Sequence, residues 1–521
     1  MPDHKNYPAV DRISELPDHL LQEILSFLLT KQAVQSTILS KRWKHVGTTS
    51  PVLDFDTTSF GSISWRVAAM GRKKNIQKKN EEHRGYTDFY NFVEKTLRSL
   101  SKKRLQVKKL TLIDCLDKQK SVSRVDRWIN FLVESNIVEE LSLDFQHGWY
   151  YRSYHLTRSV LVSKSLTGLS VYDQIINELV AGCPVIEDMR FTECNGFKSI
   201  KFEGLTKAKS IVVTYNGDLE RVESEAPNLY CLHIDQKIKN CEINLVSCNN
   251  VKMLTLSASN ITDKWFHDYF SQLPLIEYLK LYASENLERL KISSHSLKTL
   301  YLMDWKSKKL VEVNIDTPNL RKFAYCSPDD AIPFFSNALA LSEATYQILE
   351  PIAPCNVEKI GFLAKLNNSK LLTLVSYFAK DMVIPKELRE TLPSPSYNVK
   401  QLKLDTTELE IAELMDSLLW ISPLPEILLI EHPIDMESWI HSTISFKFSY
   451  EKPILKGEKP SCCEFLPVLC WRHCLKSVII ENFRVSTDEG TLRAAEASLE
   501  KYFHENTEIL ETFQFLPSDI V

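Results

Sequence analysis

Four segments of the chain obey one rule: a proline, one further residue, then apolar positions separated first by two residues and then by one. They are PVIEDMRF at Pro184, PNLYCLHI at Pro227, PLIEYLKL at Pro274 and PNLRKFAY at Pro318, and the prolines are 43, 47 and 44 residues apart. The apolar pattern alone carries little weight, because a chain that is 44% hydrophobic produces it by chance at roughly a tenth of registers. The proline and the even interval are what constrain the fold. Midway between them stand AKSIVV at 208, VKMLTL at 251 and LKTLYL at 297, which halve the period to between 21 and 25 residues. Each unit then contributes one short strand to a curved parallel sheet, with its alternate side chains turned into the core. The proline ends the preceding segment before the strand begins.

A period in the twenties with one alternating strand per unit is the signature of leucine-rich repeats. Earlier units at VKKLTLIDC (107) and VEELSLDF (138) are separated by gaps long enough for a helix such as RVDRWINFLVES, 124–135. Further matches at Phe197, Leu287 and Leu310 predict a second short strand in some coils. A doubly wound α/β domain needs amphipathic helices of about ten residues between all its strands, and most of these gaps are too short. Cys115 and Cys194 fall at the ladder position three residues past a core pair, which makes them buried structural thiols. Beyond Thr345 the units grow irregular, although VEKIGF (357), VKQLKL (399) and LPEILLIE (424) keep the strand pattern.

The first fifty residues follow a different period. Pro17 suits the first helical position and Asp18 the positive end of a helix, so a helix is expected from Pro17 to about Leu28. Phe27, Leu20, Ile24, Leu28, Leu21 and Leu25 fill one arc of its wheel, about 160° wide and broader than an ordinary surface helix needs. Thr30 is placed to cap a second helix through Ile38, and Ser40 a third through about Val46. Three helices this short cannot bury that arc among themselves, so the segment calls for a partner, either another part of the chain or another protein.

Composition removes several classes of function. A net charge of -4 argues against a dedicated nucleic-acid binder. No secretory leader is evident, nor an uncharged apolar run of about eighteen residues. The twelve cysteines show no regular framework, so reduced thiols and a cytoplasmic or nuclear location are expected. The basic stretch RKKNIQKKNEEHRG, 72–85, reads as a solvated loop, and Asp54-Phe55-Asp56 as a strand-edge loop. Cys462, Cys463, Cys470, His473 and Cys474 crowd into thirteen residues, but structural zinc usually takes C-x2-C pairs. These spacings are adjacent or three apart, so no metal or other cofactor is expected. Nucleophile-elbow, H-E-x-x-H, P-loop and G-x-G-x-x-G motifs are all missing, and no set of residues suggests catalysis.

Residue identity goes further than periodicity. The run DRISELPDHLLQEILSFLLTKQAVQSTILSKRW, 11–43, followed by PVLDFD, closely resembles the plant F-box motif in Leu16-Pro17, in Ile24-Leu25-Ser26 and in the ending Leu39 to Trp43. That resemblance implies three helices that dock on a Skp-type adaptor subunit and through it on a cullin. Leu16, Pro17, Leu20, Ile24, Leu28, Leu39 and Trp43 would be the contacts, with Val34 in support. Residues 466–515 read as strand, turn, helix and strand, with Leu492, Ala495, Leu499, Tyr502 and Phe503 on one helix face. In CLKSVIIENFR and YFHEN they resemble the FBD module that ends many plant F-box proteins. The fold class expected is α/β: an F-box at 11–57, a polar basic linker and helix at 58–104, degenerate leucine-rich repeats at 105–445, and an α+β cap at 461–515. The function expected is a non-catalytic adaptor that brings an unknown protein substrate to a ubiquitin ligase. The alternative is a scaffold that binds the Skp-type subunit without assembling a ligase.

Overall fold

The structure is a computed structural model. It describes residue 13 and residues 15–516, apart from 61–75, 115–118, 146–153, 173, 176–182, 218, 237–240, 246–247, 259–260, 283–285, 304–309, 327–332, 338–339, 349–356, 408–410, 436–439, 452–459, 465, 467–468 and 486–487. The chain divides into two units, Met1–Val251 and Lys252–Val521.

In the first unit the repeat becomes a parallel ladder. Val52–Asp56 (β1) pairs with Val107–Asp114 (β2), which pairs with Val138–Phe145. Gly168–Tyr172, Asp188–Thr192, Ser210–Thr214 and Cys231–Gln236 follow in order. The register stacks Leu110, Leu141, Leu169, Met189, Ile211 and Leu232 in one buried row, and Leu112, Leu143, Val171, Phe191, Val213 and Ile234 in the next. A slip of one residue would turn both rows out to solvent, which fixes the register. Ser199–Phe202, Arg221–Ser224 and Glu242–Asn244 form a second, three-stranded parallel sheet.

The second unit repeats the scheme from Met253–Ala258 to Ile427–Asp435, with Leu254, Leu279, Leu300, Phe323, Ala344, Leu372, Leu402 and Leu428 in register. Each proline-led strand starts four residues after its proline, at Asp188, Cys231, Tyr278 and Lys322. The second strands expected near Leu287 and Leu310 are Arg289–Ser293 and Glu312–Asp316. The parallel order then ends. Ile440–Tyr450 runs antiparallel to Ile427–Asp435, Leu475–Glu481 antiparallel to Ile440–Tyr450, and Thr512–Leu516 parallel to Leu475–Glu481.

Four expectations change. Asp54-Phe55-Asp56 is not a loop but part of β1, with Leu53 and Phe55 buried, so the repeat sheet begins at Val52 rather than at 105. VEKIGF is not a strand: Val357–Lys365 is a helix whose Ile360, Phe362 and Leu363 are buried, because the apolar spacing continues through Leu366 at a helical period. The stretch at 72–85 is helical from Ile76, as the start of Ile76–Lys103. Phe89, Tyr90, Val93, Leu97 and Leu100 anchor that helix, and the good helix formers before them extend it. Thr30 opens its helix instead of capping it.

Cys194 is buried, and its thiol faces the carbonyls of Val171, 3.5 Å away, and Thr192, 3.4 Å away. Its own N–H donates to Asn216 Oδ1 at 2.7 Å, so Asn216 serves the same ladder one coil later. Cys115 lies outside the described residues. Burial pushes the Cys183 thiol up to about 11 and Cys241 up to about 12, which leaves both protonated and inert at neutral pH.

Candidate functional site

The N-terminal helices are Asp18–Ser26 (α1), Thr30–Gln35 (α2) and Lys41–Thr48 (α3), with a 3-10 turn at Ser36–Ile38. Pro17 precedes α1 in extended conformation, and Ser40 caps α3 by accepting the Trp43 N–H at 3.1 Å. Leu21, Leu25, Ala33, Trp43 and Val46 make a small closed core, with Leu16 packed against it. Gly47 permits close helix packing, since a Cβ there would stand 3.0 Å from Thr37 Cγ2 and 3.1 Å from the Ala33 carbonyl. Arg42 ties α3 to the start of α1, donating to Asp18 Oδ1 at 2.8 Å and to the Leu16 carbonyl.

The same segment is fixed to the sheet. Thr30 Oγ1 accepts the Asp54 N–H of β1 at 2.7 Å, and Lys31 donates to the Ser59 carbonyl at 2.6 Å while lying 4.1 Å from the Phe60 ring centroid. Thr30 is buried, so its hydroxyl satisfies an edge-strand donor that would otherwise meet no partner.

What the core leaves out is apolar. Phe27 is 82% exposed, Ile38 88% and Leu39 66%, and Ile13, Pro17, Ile24 and Leu28 are exposed as well. Of the eight residues singled out in the sequence, Pro17, Ile24, Leu28 and Leu39 lie open, while Leu16, Leu20 and Val34 are half-buried. Trp43 is 8% exposed and belongs to the core, so its indole acts through packing rather than as an open contact. Phe27 and Ile38 are the most exposed large apolar side chains of these helices, and neither is among the eight. The width of the helical arc already pointed to Phe27. Ile38 gave no signal, because it lies in a 3-10 turn outside any helical period.

Two other clusters stand out, both in the second unit. Tyr278, Lys280, Tyr282 and Tyr301 occupy outward positions of adjacent strands, with the Tyr278 and Tyr301 rings 5.6 Å apart and the Lys280 ammonium 5.0 Å from the Tyr282 ring. A cleft of about 650 Å³ is lined by Arg389, Asp416, Trp420, Cys470, Trp471 and Arg472 among others. Asp416 there receives Arg389 at 3.3 Å, Arg472 at 2.8 Å and the Tyr502 hydroxyl at 2.6 Å. Asp416, on the helix Ile411–Ile421, thus ties together the helices Lys386–Thr391, Trp471–Cys474 and Glu489–Asn506. Among the described residues no helix is long and apolar enough to cross a membrane.

Residues 13–54 match the F-box domain family. The chain carries an F-box at its N-terminus. The match ends inside β1, so the F-box closes on the first strand of the repeat sheet. The chain is similar to an F-box/LRR-repeat protein of Arabidopsis thaliana, 24% identical over 326 residues, or 57% of this chain and 62% of that relative. It is also similar to an F-box/FBD/LRR-repeat protein of the same plant, 26% identical over 281 residues, 49% of this chain and 59% of the relative. An FBD-associated F-box protein, again from Arabidopsis thaliana, is 25% identical over 378 residues, 61% of this chain and 80% of the relative. Homologues that carry F-box, leucine-rich-repeat and FBD names thus cover much of the chain, in keeping with its helical start and parallel strands.

Proposed function

We propose that this protein is a non-catalytic substrate adaptor of a Skp-cullin-F-box ubiquitin ligase, with the F-box holding the Skp-type subunit and the repeat strands selecting the protein to be modified. One observation carries this reading: the F-box helices have a closed core of their own and still expose Phe27, Ile38, Leu39, Ile24 and Leu28. A monomer gains nothing by presenting large apolar groups to water, whereas an interface needs such anchors. The outward aromatic and cationic positions around Tyr278 and Tyr301 support a protein-binding role for the sheet. An adaptor of this kind does no chemistry. It raises the local concentration of substrate beside the ubiquitin-charged enzyme, which is sufficient to direct transfer.

Co-purification tests the proposal. The tagged chain is expected to retain a Skp-type subunit and a cullin, and Ile38→Ser combined with Leu39→Ser to weaken the first contact by about 30-fold or more, as for loss of an interface anchor. Both side chains are exposed, so thermal unfolding of the variant should match wild type. Capture of the Skp-type subunit without cullin would point to a scaffold. Unchanged capture by the double variant would sink the assignment of this face.

A further inference from the structure

We propose that Cys462, Cys463, Cys470 and His473 form a structural zinc site. In the sequence the spacing looks wrong for zinc, but folding changes its meaning. Cys462 and Cys463 end the 3-10 turn Ser461–Cys463, and Cys470 precedes the short helix Trp471–Cys474 that carries His473. The turn and the helix bring all four donor atoms within 4.8 Å of one another. Cys462 Sγ lies 3.8 Å from Cys463 Sγ and 3.8 Å from Cys470 Sγ. A tetrahedral zinc with bonds to sulfur of about 2.3 Å has sulfur-to-sulfur edges of about 3.8 Å, so two of the three edges already have the length such a site requires. His473 Nε2 faces Cys462 Sγ at 3.0 Å, a hydrogen-bond distance that would open to about 3.5 Å as the imidazole took the fourth corner.

The surroundings are those of a metal site rather than of a chance crowd of thiols. His473 Nδ1 meets Glu508 Oε1 at 2.8 Å, the carboxylate-histidine arrangement that fixes a ligating imidazole with its other nitrogen toward the metal. Glu508 is itself held in place, since its N–H donates to the Arg472 carbonyl at 2.9 Å. The Cys470 N–H donates to Cys463 Sγ at 3.2 Å, which stabilises a thiolate there. Cys463 and Cys470 are buried and packed with Leu466 and Leu469, so these two donors sit against apolar side chains while Cys462 faces solvent. Three thiolates and one imidazole favour a tetrahedral d10 ion, and with four protein ligands no position stays open for substrate. On binding, three S–H protons leave as three Zn–S bonds form, and the site carries one net negative charge. The metal would clip the turn at 461–463 and the helix at 471–474 to the cap residue Glu508.

The full chain, expressed with added zinc and purified under reducing conditions, should contain one zinc per chain by elemental analysis. Replacing zinc with cobalt(II) should give the visible absorption of a tetrahedral thiolate complex. Cys462→Ser, at an exposed ligand, should lose the metal and the cobalt spectrum while its circular dichroism stays that of wild type. Glu508→Gln should keep the fold and bind zinc about 10- to 100-fold more weakly in chelator competition. A metal-free chain with all thiols free, a metal-free chain two hydrogens lighter through a disulfide among these cysteines, or full zinc content in Cys462→Ser would each overturn the proposal.

Discussion

The F-box and the C-terminal cap are both small assemblies of helix and strand, yet they treat aromatic and aliphatic side chains in opposite ways. In the cap, Phe503 of the helix Glu489–Asn506 is fully buried, with Phe448, Trp471, Tyr502 and Phe513 ring centroids 5.3 to 6.1 Å away. In the F-box, Phe27 has no such enclosure and is 82% exposed. On the proposed function, the difference is one of task. A cap ends a stack of coils by covering apolar surface, whereas a docking module has to keep some of it open until a partner arrives.

The largest expected effect tests the closed side. Phe503→Ala removes the centre of the aromatic cluster and should cost about 3 to 5 kcal/mol in urea unfolding. A loss below about 1 kcal/mol would mean that the cap is looser than its packing implies. Next comes the junction between helices and sheet. Thr30→Val keeps the shape but leaves the Asp54 N–H without its acceptor, which should cost about 1 to 3 kcal/mol and speed hydrogen exchange at that amide. Phe27→Ala, by contrast, should leave stability within about 0.5 kcal/mol of wild type. If the two substitutions prove equal in cost, the division between a fixed inner face and an open outer face fails.

The smallest effect concerns charge at the same junction. Burial, reinforced by Asp56 and opposed by Lys109, raises the Asp54 carboxyl above its ordinary value of 3.8. Its folded value exceeds its unfolded one, so its stabilising contribution is fully present below the ordinary value and is lost as pH rises through the raised one. Asp54→Asn should therefore gain on wild type as pH is taken from acid to neutral, measured as the difference in melting temperature at each pH. A difference that stays constant across that range would show that Asp54 feels no such burial.

Most of the repeat was legible because its information is redundant. Leu254, Leu279, Leu300 and Leu402 each recur in a unit that also carries a second apolar position at the same offset, and four prolines mark the starts of strands. β1 escaped notice because Leu53 and Phe55 make a single pair whose proline, Pro51, stands two residues before Leu53 rather than five as in the repeat, directly behind a stronger helical pattern. VEKIGF misled because six residues fit both a strand and a helix turn, and only Leu363 and Leu366 beyond them decide for the helix. Thr30 stands where a cap belongs, and no local rule reveals that its hydroxyl serves a strand 24 residues away. The Cys462 cluster depends on how a turn and a helix meet, which spacing along the chain cannot express.

β1 also has a consequence for how the chain is made. Its parallel partner is β2, which starts at Val107. At a synthesis rate of roughly 5 to 20 residues per second, the ribosome adds the residues between the two strands in about 3 to 10 seconds. Throughout that interval the nascent F-box has its apolar face open and an unpaired strand behind it, so this stretch needs protection from other chains until β2 emerges.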